Sequence, residues 1–486
     1  MKNTAPTNPA PERRGAARPR AIDRAGSMLS HGERYLASAA LRDARNLRES
    51  CRLLVLVLLV AAGMGVAAWA FLSALDAVTG LRERNLAWFA LLPAVSLSTA
   101  WLYRTRGLRS GRGNNLVIDS AVGGDSIHAR MAVLTFFCSI ATHLAGGSAG
   151  REGTAVQIGG TLASNVSRLF HLADRDHHDL MLSSISAAFG GVFGTPLAGA
   201  FFGMEMCYVG KLDYSSALYC LVASFTGDAV SRLLGTGHAV HAIGAVPALD
   251  IRSAALTAAA GICFGLVARA FSYAIRMVRS FYAQRFRSYL LAALVGSLVL
   301  LGAYALMGAW RYAGLSEWLV EAGFRGETTP IDALAKLIFT ALTLGAGYQG
   351  GEVTPLFGIG ASLGGWLGTA AGVDPSFAAA LGMIGVFGAA LNVPISTIML
   401  GIDLFGGEAA AYFVITAFVG YLVAGHHGVY PAQRIVTPKR RSLADDALLT
   451  VDQAIERQRD QVVQRVGDET RMDGDRLGDG KAGGGL

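Results

Sequence analysis

Long apolar segments without charged residues dominate the chain between about residues 50 and 435. Residues 53–75 contain no charged side chain, and a helix of that length crosses a hydrocarbon layer about 30 Å thick. Further apolar segments lie at about residues 87–102, 131–149, 178–206, 214–227, 254–268, 288–309, 333–346, 353–373, 375–402 and 409–425. The pattern predicts an all-α membrane protein with many spans.

Several of these segments are too short or too rich in glycine for one simple crossing. Lipid cannot form hydrogen bonds with the backbone groups that a broken helix frees, so such breaks are found where protein or a wet cavity covers them. We therefore expect broken and re-entrant helices, and we expect the breaks to mark a transport site.

Composition and charge support a membrane location. The chain is 52% hydrophobic and 16% charged, whereas an average soluble domain has about 25% charged residues. The formal net charge of +7 does not indicate nucleic-acid binding, because basic residues cluster near the two ends, at 13–24 and 439–441. Basic segments beside the outermost spans tend to stay in the cytoplasm. We expect a multi-pass inner-membrane protein, surrounded by lipid, with both termini cytoplasmic.

The same pattern suggests a domain organisation. Residues 1–48 are interpreted as a basic, partly disordered cytoplasmic tail and 49–437 as the membrane domain. Residues 438–486 are interpreted as a second cytoplasmic tail without an additional regulatory domain, although 445–468 have the composition of a surface helix. The five cysteines lack metal-ligand spacing, so we expect reduced packing residues, no metal site and no cofactor.

An internal repeat divides the membrane domain into halves at about 49–240 and 250–437. Residues 150–154 read Gly-Arg-Glu-Gly-Thr, and residues 350–354 read Gly-Gly-Glu-Val-Thr. A second pair of motifs starts with Phe-Gly at residues 189 and 387, and each has an acidic residue nine positions after its proline. Repeated halves with interrupted helices at matching positions are typical of secondary transporters that bind their substrate between the repeats.

The repeated G-x-E-x-T motif suggests the chemistry of the site. A glycine-rich turn that leads into a helix presents N–H groups without intrahelical partners, and these carry a partial positive charge. Two such helix starts that converge would hold an anion, and backbone donors would attract it without the full charge of a Lys or Arg. The alternative is that both motifs are ordinary helix N-termini at loop ends.

Residues 147–159 read Gly-Ser-Ala-Gly-Arg-Glu-Gly-Thr-Ala-Val-Gln-Ile-Gly. They resemble the G-x-G-R-E-G-P-x-V-Q-I-G signature of the CLC chloride channel and transporter family. The resemblance continues through Thr-Pro-Leu-Ala-Gly at 195–199, Gly-Glu-Val-Thr-Pro at 351–355 and Tyr430. It covers about residues 50–435, and it implies a CLC-like fold of two inverted repeats, one pore per subunit and a homodimer.

Departures from the chloride-type pattern favour the fluoride-type branch of that family. Chloride-type members carry G-S-G-I-P where this chain has Gly-Arg-Gly-Asn-Asn at 111–115, which places Arg112 at the serine position. The alignment also places Met206 at the inner proton glutamate, with Glu205 one position earlier. The fluoride-type branch exports fluoride in exchange for protons. The alternative is a chloride- or nitrate-type antiporter or a passive anion channel.

The resemblance implies that Glu152 is the gate and the proton carrier. An ionisable carboxylate within a membrane segment is costly and is usually functional. When ionised, Glu152 would occupy the anion site; when protonated, it would swing out and leave the site to the anion. Glu352 is expected to be a second polar element on the proton path. The alternatives are an ion pair with Arg151 for Glu152 and a helix-capping role for Glu352.

The remaining candidate residues are expected to surround the anion. They are Gly113, Asn114, Arg151, Gly153, Thr154, Val353, Thr354 and Tyr430. The two threonines would offer hydroxyls to the anion or cap their helices, and Arg151 would act mainly as a structural partner within the turn. The Tyr430 hydroxyl would face the inner side of the site, or the residue would only anchor the last span at the membrane interface.

Two other functional classes have less support. An intramembrane enzyme that used Glu152 or Glu352 as a general acid or base would need a second catalytic partner. No H-E-x-x-H, C-x-x-C, G-x-S-x-G or phosphate-loop motif supplies one. A structural or receptor-like membrane protein would need neither the repeated helix starts nor the buried carboxylates. We therefore expect a transporter of fluoride, with chloride as the alternative anion, and of protons.

Overall fold

The computed structural model describes residues 21–239 and 241–461, with side chains from residue 47 onward. The chain divides into two units, Met1–Val55 and Leu56–Leu486. The described part of the first unit is the beginning of helix α1, and the second unit holds the other elements. Residues 1–20 of the predicted N-terminal tail and residues 462–486 of the predicted C-terminal tail lie outside the described residues.

The second unit is built from helices with very little strand. The helices are α1 Ala21–Arg84, α2 Leu92–Thr105, α3 Asn114–Ala121, α4 Arg130–Leu144, α5 Glu152–Leu169, α6 Asp174–Phe193, α7 Pro196–Glu205, α8 Ala217–Leu233, α9 Ile251–Arg285, α10 Tyr289–Met307, α11 Glu317–Phe324, α12 Pro330–Gly345, α13 Val353–Ala371, α14 Pro375–Leu391, α15 Pro394–Phe405 and α16 Ala410–Ala424. Two short strands, β1 Tyr208–Val209 and β2 Arg434–Ile435, pair in parallel. Residues 451–461 form one more helix, within the predicted surface helix at 445–468.

Within the described residues, four helical segments are long and apolar enough to cross a membrane. They are Leu47–Arg84, Leu86–Thr105, Ile251–Arg285 and Tyr289–Met307. The first two open the first half of the chain, and the other two open the second half. The remaining apolar helices are shorter, as in α15 and α16. The prediction of an all-α protein with broken helices is confirmed.

The order of elements in α1–α8 recurs in α9–α16. Helices α6 and α14 both end at a residue with left-handed backbone, Gly194 at φ 69° and Asn392 at φ 63°. Helices α7 and α15 then begin with Pro196 and Pro394. A left-handed residue ends a helix, and a proline fits the first turn of the next one, so the local sequence sets each break.

Helices α7 and α15 cap one another. The Glu205 carboxylate, at the end of α7, accepts from the backbone N–H of Ile395 at 3.2 Å and of Ser396 at 2.8 Å, and from the Ser396 hydroxyl at 2.6 Å. The Asp403 carboxylate, near the end of α15, accepts from the Ala198 N–H at 2.9 Å. Each helix thus starts beside the end of the other. The two are antiparallel, as expected for inverted repeats.

Close backbone packing brings the helices of the second half together. A Cβ built on Gly360 of α13 would lie 2.1 Å from the carbonyl oxygen of Gly382 in α14. No side chain fits there, so the two backbones are in direct contact. Small residues at helix interfaces allow this approach in membranes, where burial of apolar surface gives no drive for helix association.

Candidate functional site

The two repeated motifs meet through their backbones. The Gly150 N–H donates to the Gly351 carbonyl at 2.6 Å, and the Gly351 N–H donates to the Gly150 carbonyl at 2.7 Å. A Cβ on Gly351 would lie 2.6 Å from the Gly153 nitrogen. Only glycine permits this approach, and it brings the starts of α5 and α13 side by side.

Glu152 lies at this junction and is 1% exposed. Its Oε2 accepts from the Thr354 N–H at 3.1 Å, and its Oε1 accepts from the Thr354 hydroxyl at 2.5 Å. The Arg151 backbone N–H and Nε donate to the same carboxylate at 3.2 and 3.3 Å. The side chain from one repeat thus takes the place of an anion at the helix start of the other repeat.

The remaining residues of the two motifs have distinct surroundings. The Thr154 hydroxyl donates to the Ser139 hydroxyl at 3.1 Å, away from Glu152. Val353 is buried as the first residue of α13. A Cβ on Gly153 would lie 2.9 Å from Asn114 Nδ2 and 3.1 Å from Glu352 Oε2. Because Gly153 has no side chain, the backbone at the start of α5 lies close to both the Asn114 and the Glu352 side chains.

Glu352 differs from Glu152 in its hydrogen bonding. Its side chain makes no capping hydrogen bond at the start of α13 within the described part of the chain. Its Oε2 is buried and lacks a hydrogen-bond partner among the described residues. A buried carboxylate oxygen that accepts no hydrogen bond lowers the stability of the fold. Glu352 is therefore more readily explained by a functional role than by a structural one. The geometry does not support the capping alternative.

Asn114, rather than Arg112, lies beside Tyr430. Asn114 Nδ2 lies 3.5 Å from the Tyr430 hydroxyl, and both residues are buried. The Arg112 side chain is 44% exposed and pairs with Asp119 and Asp125. Gly113 has a φ of 56° and turns the chain into α3, so the two side chains separate. Of this motif, Asn114 therefore lies with Tyr430, and Arg112 contacts the acidic residues at the exposed side.

A polar cavity of about 80 Å³ connects several of these groups. Asn114, Glu352, Tyr430 and Gln157 line it, together with one face of α9 that includes Arg276. Asn114 Oδ1, Glu352 Oε2 and Arg276 Nη1 all lack a hydrogen-bond partner within residues 47–239 and 241–461. Unpaired polar atoms around a small cavity indicate a place for water or an ion.

Gln157 and the α9 arginines were not predicted from the sequence. The Gln157 Oε1 accepts from the Thr135 hydroxyl at 3.0 Å, and the Thr135 hydroxyl lies 3.0 Å from that of Tyr103. Gln157 is part of the signature that carries the family resemblance, so that motif offered a signal. Arg276 and Arg279 are three residues apart in a largely apolar helix, and this spacing could have indicated that both lie on one polar face.

A second cavity, of about 490 Å³, is lined by Glu317 and Arg82 among other residues. Glu317 is 60% exposed, and its carboxylate lies 3.6 Å from Arg151 Nη1. Arg151 therefore contacts Glu152 on one side and Glu317 on the other. Glu317 and Arg151 thus connect the second cavity with Glu152. On the other side, the start of α5 at Gly153 lies close to Asn114 and Glu352, which line the polar cavity.

The described residues contain no group of three His, Cys, Asp or Glu side chains that would hold a metal ion. The five cysteines are all free, and Cys138, Cys207 and Cys220 are buried. The described site is therefore made of helix starts, carboxylates, hydroxyls and amides.

Comparisons with known proteins agree with this architecture. The family model described as voltage gated chloride channel matches residues 95–425. A chloride/fluoride channel protein of Pseudomonas syringae pv. tomato is 36% identical over 389 residues, which cover 79% of this chain and 86% of the relative. An H(+)/Cl(−) exchange transporter of Vibrio cholerae is 24% identical over 292 residues, covering 57% of this chain and 62% of that relative.

Solved structures share the fold. The crystal structure of a CLC-type fluoride/proton antiporter has a TM-score of 0.78 and 32% identity, and the match covers 80% of this chain and 98% of that one. A slow cyanobacterial Cl−/H+ antiporter has a TM-score of 0.66 at 19% identity, with coverage of 77% and 94%, and supports the fold alone. Since the family model matches residues 95–425 and the Pseudomonas relative covers 79% of the chain at 36% identity, this chain belongs to the voltage-gated chloride channel family, the CLC family.

Proposed function

We propose that the protein exports fluoride in exchange for protons, with Glu152 as gate and proton carrier. The observation that carries the proposal is the seat of the Glu152 carboxylate, which accepts both the N–H and the hydroxyl of Thr354. An anion at that position would use the same donors. The choice of fluoride is supported by the Pseudomonas relative and by the antiporter structure, whose names include fluoride.

Competition for one set of donors links the two ions. An ionised Glu152 holds the Thr354 donors and excludes the anion. A protonated Glu152 loses its charge and most of its attraction to the helix start, so it leaves, and fluoride takes the donors. Return of the ionised side chain expels the anion. Each cycle of the side chain therefore moves a proton and an anion by way of the same place.

The polar cavity lies next to the Glu152 site and is proposed to be the second part of the anion pathway. Asn114 and Tyr430 offer an amide and a hydroxyl to the anion, and Gly153 adds the open start of α5. Glu352, buried with an unpaired oxygen, is positioned to exchange protons with the cavity. Thr354 contacts Glu152 and becomes free for the anion once Glu152 leaves. Thr154 and Val353 support the helix starts.

The setting of the transporter follows from the family and the charge pattern. We place it in the bacterial inner membrane as a homodimer surrounded by lipid, with both termini cytoplasmic. The tails are residues 1–48 and 438–486, and the membrane domain is 49–437. This orientation puts the polar cavity, whose wall includes residues 428–431 near the C-terminal segment, on the cytoplasmic side.

The test is proton-coupled flux in liposomes that contain the purified protein. A fluoride gradient is expected to drive proton movement, recorded with a fluoride electrode and a pH-sensitive dye. Glu152→Gln is expected to lower coupled proton movement at least tenfold, since glutamine cannot carry a proton. Glu327→Gln is the matched control, because Glu327 is an exposed residue that pairs with Arg325.

Two results would contradict the proposal. Faster chloride than fluoride flux in the wild type would favour the chloride-type alternative. Proton coupling that persists in Glu152→Gln would show that another group carries the proton.

A further inference from the structure

Helix α9 presents one polar face to the polar cavity. Ser272, Ile275, Arg276 and Arg279 line it, and their spacing of three and four residues places them on one side of a helix. Two guanidinium groups thus enter a cavity whose other walls include Asn114, Tyr430 and Glu352. No motif of the sequence analysis includes these two arginines.

Arginines outnumber acidic residues among the residues that line this cavity. The arginines are Arg112, Arg276 and Arg279, and Glu352 is the acidic residue among the described lining residues. Arg112 pairs outside the lining with Asp119 and Asp125. Asp452 interacts with Arg276 from the C-terminal segment, and Glu352 interacts with Arg279. Arg276 and Arg279 are therefore the arginines of the lining that are not held by an ion pair in the described residues.

Arg276 also lacks an acceptor. Its Nη1 is buried, and no described residue accepts a hydrogen bond from it. A buried guanidinium N–H without an acceptor is costly, so a missing negatively charged or polar partner is expected in the cavity. His427, in the loop that leads to the cavity-lining residues 428–431, also lies near these positive charges. Burial lowers the pKa of His427 to about 4, and the nearby Arg269 and Arg276 contribute to the decrease.

We propose that Arg276 and Arg279 form an anion-capture site at the entrance to the transport route. This inference rests on the proposed function and names the residues that bring the anion to it. The cavity is small, about 80 Å³, and polar groups line it, so the expected ligand is a small inorganic anion.

The arginines that first bind the anion are distinct from the uncharged donors that hold it deeper in the protein. Arg279 is exposed, so water and salt screen its charge, and an anion held there is released readily. The donors of the deeper site, Asn114 and Tyr430, are uncharged. The anion therefore moves from a charged entrance to a neutral site, where the start of α5 offers further N–H groups.

The test compares Arg276→Gln and Arg279→Gln with Arg285→Gln, an exposed arginine at the end of the same helix and outside the cavity lining. Fluoride flux is measured in inside-out and right-side-out membrane vesicles, in which fluoride reaches opposite faces. Each cavity variant is expected to raise KM about three- to tenfold for fluoride offered to the cavity side, with kcat nearly unchanged. Arg276→Lys is expected to retain a KM within about twofold of the wild type.

A second measurement detects binding without transport. Sodium fluoride or sodium chloride is added to the detergent-solubilised protein, and the salt-dependent increase in Tm is compared with that in sodium gluconate. The increase is expected to shrink in Arg276→Gln and to persist in Arg285→Gln. A KM increase in both vesicle orientations, or KM values in Arg276→Gln and Arg279→Gln that equal the value in Arg285→Gln, would overturn the capture site. If the wild type carries no fluoride, the proposed function fails, and the Tm comparison still decides whether Arg276 binds an anion.

Discussion

At the residue scale, Thr354 holds the Glu152 carboxylate of the other repeat. Its hydroxyl and its N–H both donate to the Glu152 carboxylate, so a hydroxyl contact between residues 202 positions apart joins the two repeats. The G-x-E-x-T repeat predicted that the two segments share one role. It left open whether the threonines cap helices or face the anion, because sequence gives no distance between hydroxyl and carboxylate.

Thr354→Val should lower fluoride flux. Loss of the hydroxyl removes a donor that contacts Glu152 and that the anion would use once Glu152 leaves, so fluoride flux is expected to fall about three- to tenfold. Thr354→Ser should keep the wild-type flux, as should Thr369→Val, because the Thr369 hydroxyl bonds within α13. Unchanged fluoride flux in Thr354→Val would mean that the hydroxyl does not bind the anion.

The residues around Tyr430 show what the sequence left open. Gly113 turns the chain, so Asn114 lies beside Tyr430, whereas Arg112 of the same motif pairs with Asp119 and Asp125. The positive φ of Gly113 is a property of the fold. One sequence shows that a glycine permits such a turn, but it does not show which neighbour then points inward.

At the element scale, the reciprocal caps of α7 and α15 explain the repeated acidic residues. Both repeats place an acidic residue nine positions after a helix-starting proline. The sequence revealed that spacing, but it did not reveal that each carboxylate binds the start of the other helix. The partners lie about 190 to 205 residues apart, and only the folded arrangement brings them together.

Removal of these caps should destabilise the protein. Glu205→Gln is expected to lower the free energy of unfolding by about 1–2 kcal/mol, since a neutral amide oxygen replaces a carboxylate with three donors. Asp403→Asn is expected to cost less, because the Asp403 carboxylate accepts from backbone N–H groups such as that of Ala198 and from no hydroxyl in the described residues. Thermal unfolding in detergent measures both variants. Glu408→Gln, at an exposed position after α15, is the control. A Glu205→Gln Tm equal to that of Glu408→Gln would exclude a stabilising cap.

At the scale of the whole molecule, apolar segments and repeated motifs were enough to predict an all-helical membrane fold of two halves. The structure and the family match confirm that prediction. The predicted domain limits and cytoplasmic termini remain proposals. The cavities were beyond prediction, because they form where side chains from distant helices fail to fill space, as with Arg276 and Tyr430.

Stability should fall as the pH decreases below about 6.5. Burial lowers the pKa of His427 to about 4, whereas an unfolded histidine titrates near 6.5. Between these values the unfolded state binds a proton that the folded state does not, so acid favours unfolding. His427→Asn is expected to show a smaller Tm decrease between pH 7.5 and 5 than the wild type. The matched variant His128→Asn, at an exposed position, should behave like the wild type. Equal Tm losses in His427→Asn and the wild type would contradict this explanation.

The backbone bridge between Gly150 and Gly351 limits the kind of motion that can drive exchange. Two short hydrogen bonds join the halves beside Glu152. A rocking cycle that pulled the halves apart there would have to break both bonds and expose four polar atoms at every turnover. With Glu152 as the proposed gate, the two halves are therefore expected to stay joined at this point while the Glu152 side chain moves.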